Sequence, residues 1–176
     1  AGHFSIINYT GNGTSGATIG HGLPGAPEMI WIKELDNANG WIVGSDPVGY
    51  TKILRLDTTD AETTDSGAFN NTAPSSTLIT LGSNNGTNRD GTSNGNQMIC
   101  YAFRSVPGVC KIGSYIGNGS STTPVDGPYV SVGFRPSFVL IKVTDLAGYS
   151  WSIFDIARSP NNGTATEFAH PNSDTA

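Results

Sequence analysis

Pro27-Glu28-Met29-Ile30-Trp31-Ile32-Lys33 places four consecutive apolar residues between a leading proline and a closing lysine. The run is too short for a buried helix and is rich in β-branched and aromatic side chains, so it reads as a strand covered on both faces. Met98-Ile99-Cys100-Tyr101-Ala102-Phe103 and Phe138-Val139-Leu140-Ile141 have the same character. Around these three runs, clusters of Gly, Asn, Asp, Ser, Thr and Pro punctuate shorter apolar segments, which is the all-β pattern. The strands predicted on this basis are Phe4–Thr10, Glu28–Leu35, Gly40–Ser45, Lys52–Asp57, Thr77–Gly82, Gln97–Arg104, Val109–Ile116, Pro128–Gly133, Phe138–Thr144 and Ser150–Ile156. No segment has convincing helical periodicity, although Asp60 to Asn70 could hold one helical turn.

Composition supports the same class. Gly, Asn, Ser and Thr make up 75 of the 176 residues, whereas Glu and Lys occur four times each. Such a chain favours turns and strand surfaces over helix interiors, which excludes a helical bundle or coiled coil. Only 13% of residues are charged and the net charge is −5, so a basic nucleic-acid-binding surface is not expected. No run of eighteen apolar residues is present, so no membrane-spanning helix is expected. The N-terminal residues contain neither the basic nor the apolar segment of a secretion signal.

The Pro27 run also occurs twice. Pro27 through Lys33 matches Pro136 through Lys142, both copies being a proline, a polar residue, four apolar residues and a lysine. Upstream, Tyr9-Thr10-Gly11-Asn12-Gly13 recurs as Tyr115-Ile116-Gly117-Asn118-Gly119. Downstream, Asp36 matches Asp145 and Trp41 matches Trp151. A shared order with a slowly growing offset is what loop insertions in a duplicated unit produce. The chain therefore divides into a first repeat over residues 1–108 and a second, incomplete repeat over 109–176 packed with it. After its Trp strand the first copy runs on for about sixty residues, Pro47 to Ser105, whereas 21 residues follow Asp155 and end in a polar tail, Ser159 to Ala176. The expected architecture is an antiparallel β-sandwich or jelly-roll-like fold of two related halves. Its unfinished second sheet would expose an edge, favouring self-association or completion by another segment.

Candidate chemistry is sparse. His3, His21 and His170 lack metal-ligand spacing, and no nucleophile elbow appears. Gly11-Asn12-Gly13-Thr14-Ser15-Gly16 lacks the Lys and the helix of a phosphate loop and reads as a turn. The acidic stretch around Asp57, Asp60 and Asp65 could offer oxygens to a calcium ion, as could Asp90 with Asn94 and Asn96. Glu28, Glu34, Glu62 and Glu167 show no spacing that pairs them for glycoside hydrolysis. No enzyme activity and no organic cofactor is expected. Cys100 and Cys110 flank a Pro107-Gly108 turn and could form a disulfide if their segments are neighbouring strands; two free thiols are the alternative. Trp41 and Trp151, with Tyr149 nearby, are either glycan-stacking rings or core anchors of each copy.

The ordered strings Tyr9 to Gly13, His21-Gly22-Leu23, Ala26 to Lys33, Leu54 to Asp60, Asn70 to Pro74 and Leu81-Gly82-Ser83 resemble a family of bacteriophage virion proteins of marine and cyanobacterial phage type. The resemblance continues through Tyr101-Ala102-Phe103, Val106-Pro107-Gly108, Lys111 to Tyr115, Gly133 to Pro136 and Asp155 to Arg158, most of the chain. It implies a β-rich repeat module of a tail fibre, appendage or capsid decoration at the virion surface, with no catalytic residues to carry over. Its partners would be further copies of itself, other virion proteins and a host surface glycan. A lectin-like carbohydrate-binding module is the alternative.

Overall fold

The computed structural model describes residues 2–91, 95–119, 127–158 and 169–172. Asn94, Glu167 and all of the polar tail except residues 169–172 lie outside the described residues. The described elements are β1 (Phe4–Thr10), β2 (Thr18–Gly20), β3 (Met29–Glu34), β4 (Ile42–Ser45), β5 (Lys52–Arg55), β6 (Thr63–Thr64), α1 (Ser66–Phe69), β7 (Leu78–Thr80), α2 (Asn85–Asn88), β8 (Gln97–Phe103), β9 (Phe138–Ile141) and β10 (Ser152–Asp155). The architecture is all-β and antiparallel. Six strands form one sheet in the order β1-β8-β3-β4-β5-β6, and two-stranded units β2–β7 and β9–β10 stand apart from it.

The six-stranded sheet separates two apolar layers. Along β3, Ile30 and Ile32 point inward while Met29 and Trp31 point outward, as the period of two requires. The inner layer joins Ile30, Ile32, Ile42, Ile53, Met98, Cys100 and Ala102 of the sheet to Leu23, Phe69, Ile79 and Leu81, brought by the loops, α1 and β7. α1 falls inside the predicted Asp60–Asn70 turn. Asp65 caps it by accepting from the Gly67 amide at 2.9 Å, and Asn70 ends it in the left-handed region at φ 51°. On the other side, the β9–β10 hairpin lays Trp151 and Leu140 on Val43 and Leu54 of the large sheet. The sheet thus has a layer on each face, which is the sandwich.

Two predicted strands do not form. Val109–Ile116 contributes only a single bridge from Cys110 back to Val106, and Pro128–Gly133 is irregular. The reason for the first lies in β8. Its edges are already occupied by β1 and β3, so no third strand can lie beside it. Of the two alternatives for the cysteines, the structure has the free thiols. Cys100 sits on the inner face of β8, Cys110 sits in the turn beyond it, and both are free thiols.

The two hairpins that the sequence repeat equates share a register. In β3–β4, Met29 faces Ser45 and Ile30 faces Gly44; in β9–β10, Phe138 faces Asp155 and Val139 faces Phe154. These are the positions the repeat alignment equates. Lys33, the penultimate residue of β3, donates to the Glu34 and Asn37 carbonyls, and Lys142, just after β9, donates to those of Tyr149 and Thr59. Gly13 and Gly119 close the Gly-Asn-Gly turns at φ +65° and +64°, a conformation that favours glycine.

Candidate functional site

The alternation that fills the inner layer puts a second set of large side chains on the outer face. Ile6, Tyr101, Trp31, Val43 and Leu54 stand opposite one another across five strands, and Phe4, Phe103 and Met29 form the neighbouring row. The hairpin covers the β4–β5 end of these rows. The β1–β8 end is open: Ile6 is 55% exposed and Phe4 40%, with Tyr101 and Phe103 half-buried beside them. Ring centroids lie 4.9 Å apart for Phe4–Phe103, 4.7 Å for Trp31–Phe103 and 5.9 Å for Trp41–Tyr101. Tilted pairs at these distances make a continuous, rigid aromatic surface. At its inner margin the Trp31 indole N–H is buried with no hydrogen-bond acceptor among the described residues. Contiguous exposed apolar faces of this kind mark contact surfaces.

The residues singled out for glycan stacking fall in three different places. Trp151 is 2% exposed and its indole N–H donates to the Arg55 carbonyl at 2.8 Å, so it anchors the hairpin and offers no face to a sugar. Trp41 is half-buried against Tyr101 and belongs to the aromatic surface. Tyr149 is exposed at the rim of an open groove of about 400 Å³ lined also by Ile141, Val143, Ser152 and His170. In repeat terms, Ile141 and Ser152 correspond to Ile32 and Ile42, which the first copy buries in its inner layer. The groove is the place where the second copy's own inner core would sit.

The acidic stretch is dispersed. Asp57 accepts from the Trp41 amide at 3.2 Å, Asp60 from the Thr58 hydroxyl at 2.9 Å, and Asp65 from the Gly67 amide and the Asn84 side chain. Among the described residues no three His, Cys, Asp or Glu side chains gather as metal ligands would. The stretch instead straps the second copy to the first: the Glu62 amide donates to Thr144 and the Gly148 amide to Thr59. The carboxylates are dispersed as well. Glu28 accepts from Ser105, Glu62 pairs with Lys52, and Glu34 lies alone inside the first repeat. His21 is buried, with Nδ1 accepting from the Leu23 amide at 3.1 Å and Nε2 directed at the Ser75 carbonyl.

Glu34, weighed in the sequence only as a possible hydrolytic carboxylate, has a different place in the structure. Its carboxylate is wholly buried at the end of β3 and accepts from the side-chain amides of Asn37, Asn39 and Asn96, with the Arg89 guanidinium 3.9 Å away. Burial pushes its pKa up, but the three amides and the guanidinium together outweigh that and hold the carboxyl below its ordinary value. It ties the β3–β4 turn to the approach of β8, a structural role. The nearest sequence signal is Asn37 and Asn39, three and five residues after Glu34, while Asn96 comes from a distant part of the chain.

What the geometry defines, then, is an all-β protein with an open aromatic sheet face and, among its described residues, no cluster of titratable groups of the metal-ligating kind. Over residues 1–176 the chain matches the family described as a domain of unknown function (DUF7483), and it belongs to that family. No curated protein and no solved structure matches it.

Proposed function

We propose that this domain is a structural module of a bacteriophage particle, a tail-fibre, appendage or capsid-decorating unit that works by docking on neighbouring subunits. The observation that carries the reading is the open aromatic face of Phe4, Ile6, Tyr101 and Phe103. A large apolar surface on a rigid sheet is stabilised by burial against another protein, at roughly 25 cal/mol per Å² covered. The resemblance of the ordered strings to phage virion proteins suggests the setting, and closed symmetry is the usual way such modules assemble. In this reading the Asn-, Thr- and Asp-rich loops remain outward at the particle surface.

Sedimentation of the purified chain over a wide concentration range tests the docking. The expected result is reversible self-association that Ile6→Asp abolishes while the far-ultraviolet spectrum is unchanged. A chain that stays monomeric at millimolar concentration, or an Ile6→Asp variant that associates equally well, refutes it. Mass spectrometry of purified particles tests the setting, which fails if the chain is absent from them.

A second reading, glycan binding, rests on exposed Tyr149 at its groove with Ser150, Ser152 and His170. Tyr149→Ala would then remove binding to an immobilised glycan panel; an unaltered panel response removes the reading.

A further inference from the structure

The β9–β10 hairpin has two faces, and it lays a particular one of them on the large sheet. Trp151 and Leu140 are the side chains that reach Val43 and Leu54. The sequence repeat equates Trp151 with Trp41 and Leu140 with Trp31. In the first repeat those two tryptophans belong to the outer face, Trp31 against Phe103 and Trp41 against Tyr101. The register agrees, since Leu140 faces Ile153 in its hairpin as Trp31 faces Val43. The hairpin therefore docks by the counterpart of the very face it docks on. Where the two overlap the apolar layer is closed, and Trp151 is buried.

The overlap stops short of β1 and β8. There the face continues as Phe4 and Ile6 of β1 and Ile99, Tyr101 and Phe103 of β8, joined by ring contacts to Trp31 and Trp41. The remaining outward positions are Asn8 and Thr10 of β1 and Gln97 of β8, so these two strands put no charged side chain on this face. Lys33, the outward charge of β3, is drawn onto the Glu34 and Asn37 carbonyls at the margin. In a chain of net charge −5 this bears directly on the partner. A face that meets its own copy brings like charges together, which is costly, and an uncharged apolar face avoids that cost.

We infer that the open β1–β8 part of this face docks on the same part of a second copy of the chain, the two sheets packing face to face about a two-fold axis. The inference rests on the docking reading above and names the partner surface. Two apolar sheet faces at about 10 Å form the layer of an aligned sandwich. A patch that contacts itself closes at two copies, whereas a patch that contacts a different surface can go on adding chains. Within the chain this face is already buried against its repeat counterpart, and the second copy does the same for the part that the hairpin leaves open. Phe4, Ile6, Tyr101 and Trp41 lose solvent together when the pair forms, and the backbone edge of β1 takes no part.

Sedimentation velocity of the full chain, with a fluorescent label on one component, reads the mode of contact. The expected endpoint is a dimer that grows no further. Labelled Ile6→Asp chain is expected to bind wild type about tenfold or more weakly than wild type binds itself, because one spoiled patch spoils the mixed pair. Trp41→Ala, whose ring lies inside the sheet face and away from β1, is expected to weaken the dimer by a similar factor with the far-ultraviolet spectrum unchanged. Open-ended growth, or a mixed Ile6→Asp pair as tight as the wild-type pair, overturns the inference and leaves the docking reading in place, because the face then meets a different surface. A dimer indifferent to Trp41→Ala overturns it too, since pairing then runs along the β1 edge. A chain that is monomeric at millimolar concentration overturns both.

Discussion

The two repeats share a hairpin register and a turn geometry, and they differ in what surrounds them. The first encloses its inner face with α1, β7 and the loops, so that Phe69, Ile79 and Leu81 are fully buried. The second leaves the equivalent face as a groove and stays in place by its other side, through Trp151 and Leu140 and the strap of the acidic stretch. The same local sequence therefore produces the same hairpin with or without a core of its own. Hairpin geometry is set by strand alternation and turn residues, whereas stability comes from whatever the hairpin packs on.

The widest separation between the halves should come from their matched tryptophans. Trp151→Ala removes the centre of the outer cluster and the hydrogen bond to Arg55, and should cost about 3–5 kcal/mol. Trp41→Ala removes a half-buried ring from the aromatic surface and should cost about 1 kcal/mol or less. Denaturant melts of both variants decide this. Equal losses would mean the copies are energetically equivalent and the comparison fails. Hydrogen exchange sharpens it, because loss of Trp151 should release residues 138–155 while β1, β3 and β8 stay protected.

Glu34 should be next, because the second copy has Val143 at that position and no counterpart of the network. Glu34→Gln puts an amide donor among three amide donors and should cost about 2 kcal/mol. Its carboxyl is held below its ordinary value near 4.5 in the folded chain, so the stabilisation is complete above that value and is lost as pH falls through the folded pKa. The difference in stability between wild type and Glu34→Gln should therefore narrow on acidification. A difference that stays constant from neutral pH to pH 3 would show that the charge plays no part.

The smallest effect concerns the thiols at the junction of the repeats. Burial pushes Cys100 up to about 12, and it has no path to solvent. Burial and the Glu28 carboxylate raise Cys110 as well, but that side chain is only partly enclosed. A thiol reagent at pH 8 should modify Cys110 slowly and leave Cys100 untouched until the chain is unfolded. Fast reaction at Cys100 would show that the inner layer opens in the native state.

Much of this fold could be read from residue order. The predicted Phe4–Thr10 is β1 itself, and the double-sided apolar runs at Met29, Met98 and Phe138 are β3, β8 and β9. At the positions the sequence repeat equates, β9–β10 has the register of β3–β4. Strand β2, with three residues, and β6, with two, left no signal, because so short a pairing is decided by the partner's position and not by local alternation. Val109–Ile116 has a strand's pattern but, among the described residues, makes only the Cys110–Val106 bridge, and pattern alone cannot report that. The aromatic face was partly legible: Phe4, Ile6, Ile7 and Tyr9 make β1 apolar on both faces although it lies at a sheet edge. Only pairing order shows that β1 is an edge strand. Trp151 and Trp41 could not be told apart from sequence, since their difference is one of covering and not of kind.

The central place of β8 also sets an order in time. Phe4 meets Phe103 across the ladder, so β1 waits for a strand that lies nearly a hundred residues later in the sequence. Strands β3, β4 and β5 are joined by short connections and can meet as soon as they are made, whereas β1 and β3 are linked only through a strand synthesised after both. Long-range pairing of this kind slows folding, because loop closure must be met before any contact rewards it. Until β8 is made, β1, with Phe4 and Ile6 on one side and Ile7 and Tyr9 on the other, lacks the strand it pairs with in the folded sheet.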